Sequence, residues 1–210
     1  MSKPVLLLGA GGHAAVLIDM LRQLNHHIIG LVAREEPAAK PGFAGIPFYA
    51  SDDDVLAFNK SEVLLVNALG SLPGQNGRST LQRRFQQAGY QFMTIVSPHS
   101  MVSEYAQLAE GVQVMPGAVI NAHSSISEGS IINSGAIIEH DCKIGPYNHI
   151  APGAVLSGGV ATGHHVHVGT GANIIQSITI GNNVMISAGS TVVKSLPDNS
   201  RHYVARPYIC

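Results

Sequence analysis

From Val96 to Val192 the chain repeats in sixes. Every sixth residue is Val, Ile or Leu, through Ile120, Ile138, Leu156 and Ile174 to Val192, and Thr162 is the single exception in seventeen positions. An α-helix repeats its apolar face every 3.6 residues and a half-buried strand every two, so neither needs this period. A parallel β-helix does, because each six-residue rung turns one corner of a triangular prism. Four places after the aliphatic residue the side chain is often small, as at Ala118, Ser124, Ser130, Ala136, Cys142 and Ala154. A small residue there fits a tight corner. Three rungs make a coil, so residues eighteen apart stack on one face, with coils about 4.8 Å apart.

The first ninety residues follow a different pattern. Val5-Leu6-Leu7-Leu8 reads as a buried strand, followed by the turn Gly9-Ala10-Gly11-Gly12-His13-Ala14. Leu17, Met20, Leu21 and Leu24 mark one face of a helix, and Ile28 to Val32 is a second strand. Val63 to Val66 predicts a third strand, Ser79 to Ala88 a second helix, and Gln91 to Val96 a fourth strand leading into the rungs. This β-α-β order predicts a small parallel sheet of Rossmann type. The expected organisation is an α/β domain over residues 1–92, then a β-helix with a C-terminal tail over 93–210.

Composition narrows the partners. Charged residues are 12 % of 210, and the net charge is −1 with no basic block. Nucleic acid is disfavoured, because phosphate backbones are met by clustered Lys and Arg. Cys142 and Cys210 form neither a metal motif nor a disulfide framework, which makes a reduced cytoplasm the default. Val5 to Leu8 is too short for a signal sequence, and no later apolar run reaches membrane length.

Two stretches carry candidate chemistry. The turn after the first strand matches G-x-G-x-x-A, in which glycines let backbone N–H groups and a helix N-terminus approach a phosphate. A ligand-free tight turn is the competing reading. At about ninety residues the domain is small for a dinucleotide, so a single nucleoside diphosphate is expected at Gly9, Gly11, Gly12 and His13. Arg78, in the polar loop from Gly70, is a candidate bidentate phosphate donor or a solvated arginine at a helix start.

Seven of the eleven histidines lie between His99 and His167. His140-Asp141 is the candidate base pair: an imidazole takes up a proton near neutral pH, and a carboxylate can fix its tautomer. Neighbours on a flat strand point to opposite faces, so their contact requires a corner. Two surface polar residues on a rung are the alternative. His149 lies half a coil from His140, which points to sites between prisms and a homotrimer. His149 and His167 are eighteen apart and should stack. A metal site on this cluster, with His164, His165 and His167 close by, is a further alternative. Carbonic anhydrases of the hexapeptide class use a His pair five apart, and no two histidines here are so spaced, so no metal is expected.

The chain resembles the NeuD/PglD-type sugar acyltransferases of bacteria over nearly its whole length. The resemblance rests on Val5 to His13, on Thr94-Ile95-Val96-Ser97-Pro98, on Ile131 to Gly145 and on His149 to Ala154. It implies left-handed winding, His140 as general base, Asp141 as its orienter and His149 in the acetyl-thioester region of acetyl-CoA. It also implies Asn133 near the acceptor amine, with Gly158 and Ala188 as backbone contacts along the pantetheine. Uridine-binding relatives often carry Asp-Asp after the second strand. Here the residues are Ala33-Arg34-Glu35, so uracil, thymine and guanine stay open.

The expected activity is acetyl-CoA-dependent N-acetylation of a nucleotide-linked 4-amino-4,6-dideoxy sugar for a surface polysaccharide or glycan. O-acetylation of a sialic-acid-like sugar, a non-catalytic solenoid and a metal-dependent hydro-lyase are the alternatives.

Overall fold

The structure is a computed structural model that describes residues 3–37 and 40–204. Cys210 lies outside the described residues. The chain divides into two compact units, Met1–Pro98 and His99–Cys210.

In the first unit, β1 (Val5–Leu8), β2 (Ile28–Val32), β3 (Phe48–Tyr49) and β4 (Leu64–Asn67) form a parallel sheet in the order β3-β2-β1-β4. The four residues of β1 are all fully buried, as a central strand covered on both faces requires. Helix α1 (Gly12–Gln23) buries Leu17, Ile18, Met20 and Leu21, and α2 (Gly77–Gln87) buries Leu81 and Phe85. Strand β3 is absent from the hydrophobic pattern because it is only two residues long. Tyr49 of β3 lies over Gly30, where an added Cβ would come within 2.5 Å of its ring. The expected fourth strand is broken: Phe92 makes a single bridge to Leu65, and Ile95–Val96 is a separate two-residue strand.

The second unit is a parallel β-helix. Seventeen two-residue strands, Ile95–Val96 at the end of the first unit and then Met101–Val102 to Thr191–Val192, recur every six residues, and the second residue of each is the predicted inward one. Ile120, Ile138 and Leu156 stack in register and are fully buried. Each such side chain contributes about 1.5–3 kcal/mol relative to exposure. The small residues plug the corners from inside. Ser124 Oγ donates to Glu139 O at 2.7 Å and accepts from Cys142 N at 3.1 Å. Thr162 breaks the ladder for a polar reason: its Oγ1 accepts from buried Asn148 Nδ2 at 2.6 Å and from Gly145 N at 3.0 Å. The last coil is two residues short, so Arg201 pairs with Met185.

Candidate active site

The first unit offers a cavity of about 770 Å³ at the C-terminal ends of β1 and β2, lined among others by Gly9, Gly11, Arg34, Glu35, Thr80 and Arg84. This is where an open parallel sheet binds ligands. Gly9 has φ +120°, and a Cβ there would meet the Ala68 backbone at 2.8 Å, so the turn itself demands glycine. Gly11 has no such need: its φ is −86° and a Cβ would meet nothing within 4 Å. Gly11 is the N-cap of α1 and supplies no side chain, so backbone N–H groups of the first turn have no side-chain cap. Gly12 and His13 follow in that first turn rather than in the cavity wall.

Arg78 is placed otherwise than expected. It is buried, and its Nη1 donates to Asn67 O at 2.7 Å and Leu69 O at 2.8 Å, clamping the end of β4 to the start of α2. A guanidinium committed to carbonyls does not reach into the cavity as a phosphate donor. Arg84, two turns along α2, lines the cavity and pairs with Asp53. Its position carried no signal in the sequence.

In the second unit, His140 and Asp141 occupy a corner between the strands Ile137–Ile138 and Lys143–Ile144. Asp141 has φ +61°, and this left-handed turn lets adjacent side chains meet. His140 Nδ1–H donates to Asp141 Oδ2 at 2.7 Å, since a carboxylate only accepts. The proton is thereby held on Nδ1 and the lone pair on Nε2. Both side chains are more than half exposed, 64 % and 61 %. Gly158 lies one coil on. A Cβ there would fall 2.6 Å from His140 Cε1 and 2.7 Å from Nε2, so the imidazole lies where that side chain would be. Sequence reasoning placed Gly158 on the same face as His140 but did not show it as the bed of the ring.

Asn133 and His149 meet on a different sheet of the prism. Asn133 Nδ2 lies 2.9 Å from His149 Nε2. His149 stacks on His167 as the spacing requires, with ring centroids 5.0 Å apart and planes at 75°. Burial pushes the His167 imidazole below its ordinary value. Ala188 is exposed on the edge that also carries Asn133 and Ser134, three coils further along, next to Gly189 with φ +67°. One prism therefore gathers His140, Asp141 and Gly158 at one corner, and Asn133 with His149 on another sheet.

Cys142 is fully buried, and burial pushes its thiol up, which does not suit a nucleophile. Among the described residues no three of His, Cys, Asp and Glu are arranged to hold a metal ion. No helix among them is long and apolar enough to cross a membrane.

Residues 4–73 match the PglD N-terminal domain, and residues 123–158 match the bacterial transferase hexapeptide repeat. No curated protein matches the chain. Among solved structures, PerB from Caulobacter crescentus in complex with CoA and GDP-perosamine is 33 % identical with a TM-score of 0.84, covering 96 % of this chain and 94 % of its own. A point variant of perosamine N-acetyltransferase from the same organism, with the same ligands, is 31 % identical with a TM-score of 0.86, over 99 % and 96 %. The acetyltransferase domain of PglB from Neisseria gonorrhoeae, in complex with acetyl coenzyme A, is 26 % identical with a TM-score of 0.87, over 99 % and 100 %. With an α/β unit and a left-handed hexapeptide β-helix matched along nearly its whole length, the chain belongs to the PglD/NeuD-type sugar acetyltransferases.

Proposed function

We propose that the protein transfers the acetyl group of acetyl-CoA to the amine of a nucleotide-linked 4-amino-4,6-dideoxy sugar, with His140 as general base. The observation that carries this reading is the 2.7 Å contact between His140 Nδ1 and Asp141 Oδ2, which leaves the lone pair on Nε2. The attacking amine must lose a proton as its nitrogen bonds to the carbonyl carbon, and a positioned imidazole accepts it. Asp141 holds the tautomer and stabilises the imidazolium. The proton then passes to the departing CoA sulfur. An amine acceptor, rather than a hydroxyl, is supported by the GDP-perosamine bound to the relatives from Caulobacter crescentus.

The nucleotide is assigned to the cavity of the first unit. Its open glycine turn and uncapped helix N-terminus suit a diphosphate; Arg34 and Arg84 lie in its wall beside the carboxylates of Glu35, Glu36 and Asp52. Acetyl-CoA is assigned to the prism near His149, Gly158 and Ala188. A homotrimer is part of the reading, because His140 and His149 lie on different sheets and a neighbouring copy can complete each site. Met101, Val119, Ile137 and Val155 stack in register as an outward apolar row suited to such packing. Both substrates of this reaction are cytoplasmic metabolites, so the protein is assigned there.

The decisive experiment incubates the protein with acetyl-CoA and a panel of nucleotide-linked amino sugars, and reads thiol release. One amino sugar should turn over well above the rest and above hydroxyl analogues. Thiol release with no member, or equal release with hydroxyl sugars, would refute the reading. Sedimentation should give three copies, and a fully active monomer would remove the shared site.

A further inference from the structure

Two aromatic rings stand on the corner that carries the base. Tyr105, His123 and Asp141 are eighteen residues apart and form one column down the prism, with His140 beside Asp141. The Tyr105 and His123 ring centroids are 5.8 Å apart, with planes at 33°. At that spacing each ring orients the other. His123 stands there with φ +63°, where Gly159, two coils on in the same column, takes φ +70° with no side chain. A second tyrosine–histidine pair, Tyr147 and His165, stacks at another corner, but Tyr147 is buried and serves the fold. Tyr105 is 62 % exposed and His123 is exposed with it, so core packing does not account for the first pair. Its place relative to the base is specific. The His140 imidazole leans toward Gly158, on the coil after it. Acetyl-CoA is assigned to that side, near Gly158 and Ala188. The amine must reach the thioester carbon from outside the volume of the donor, which leaves the coils before His140. Those coils present His123 and then Tyr105. From Asp141 to Tyr105 is two coils, about 10 Å, the length of a hexose and the phosphate attached to it.

We propose that Tyr105 and His123 are the platform for the acceptor sugar, which lies along this column with a C–H face on the two rings and its amine at His140 Nε2. The proposal rests on the acetyl-transfer reading above. The face of an aromatic ring is its negative side and attracts the C–H hydrogens of a sugar. A 6-deoxy sugar suits such a surface. A methyl replaces the hydroxymethyl group on C5, so no hydroxyl loses water when that edge is covered. Tyr105 and His123 are positioning residues and take no part in the proton transfer.

The test is steady-state kinetics of the full chain with GDP-perosamine or, where that is not turned over, with the fastest member of the amino-sugar panel. Tyr105→Leu removes one ring at an exposed site. His123→Asn removes the other with a residue that accepts a left-handed φ. Each should raise KM for the nucleotide sugar about tenfold, the scale of one lost aromatic contact. The contact is the same in the ground and transition states, so kcat should change little. KM for acetyl-CoA and the melting temperature should stay near wild type. Tyr105→Phe keeps the ring and should restore the wild-type KM. The preference for a 6-deoxy over a 6-hydroxy sugar on the same nucleotide should narrow in His123→Asn. Unchanged KM in both ring-removing variants overturns the proposal, and so does a Tyr105→Phe protein that behaves as Tyr105→Leu. An unchanged 6-deoxy preference in His123→Asn also overturns it. A changed sedimentation coefficient at unchanged KM would give the pair to contact between copies instead. Thiol release with no member of the panel refutes the acetyl-transfer reading itself, whereas turnover indifferent to both ring-removing variants refutes the platform alone.

Discussion

His140 and Gly158, one coil apart, share a single volume: the imidazole occupies the space that a side chain at position 158 would fill. The glycine is therefore part of how the base is aimed. It is not needed for a backbone twist, since Gly158 has no left-handed φ. Alanine is conformationally allowed there but would push the ring aside. Gly158→Ala should lower kcat about 10²-fold, the scale of a 1 Å misplacement at a reacting centre. The melting temperature should change little. Unchanged kcat would show that the ring is not aimed from below.

His140→Ala should cost about 10²–10⁴-fold in kcat, the usual worth of a general base. Asp141→Asn should cost less, because the base remains and only its orientation and basicity are disturbed. The aliphatic ladder is untouched, so the fold should persist. A folded His140→Ala protein with near-normal kcat would leave the scaffold reading ahead.

In the first unit the predictions separate binding from stability. Gly11→Val places a side chain in open space at the cavity wall, at a φ that valine accepts. It should raise KM for the nucleotide sugar and leave KM for acetyl-CoA nearly unchanged. Arg84→Gln should do the same by removing positive charge from the wall. Arg78→Met should act differently. It strips the carbonyls of Asn67 and Leu69 of their donor, at a cost of about 1–3 kcal/mol for each buried group left unsatisfied. Denaturant unfolding should report that loss, and a selective change in nucleotide KM without it would restore Arg78 to the binding site.

His167 should make the fold sensitive to acid. Its pKa is lowered by burial, so the unfolded chain takes up the proton first as pH falls. The stability it contributes is complete above the unfolded value of about 6.5 and is lost as pH drops through the lower folded value. His149, on the strand below, is the titratable group stacked against it. His167→Phe keeps the aromatic contact and removes the titration. Its melting temperature should fall less steeply than wild type below about pH 6.5. Parallel pH profiles would assign the acid response elsewhere.

The six-residue period determined the second unit almost completely. Each aliphatic residue buries the same face at every third rung, so spacing alone placed every strand from Ile95–Val96 to Thr191–Val192. The first unit was legible where strands are long and apolar, as at Val5–Leu8 and Ile28–Val32. It was not legible at Phe48–Tyr49, which pairs with β2 by tertiary proximity rather than by its own pattern. His140-Asp141 could be read as an adjacent acid and imidazole of the right chemistry. Their contact depends on φ +61° at Asp141, a conformation no spacing displays. The tertiary structure alone decided that Arg78 turns inward to carbonyls, that Arg84 lines the cavity, that Gly158 beds the imidazole and that Asn133 bonds His149. The reason is physical. Periodic burial is a sum over many equivalent residues and survives in the linear order, whereas the partner of one polar atom depends on a single rotamer and a single corner.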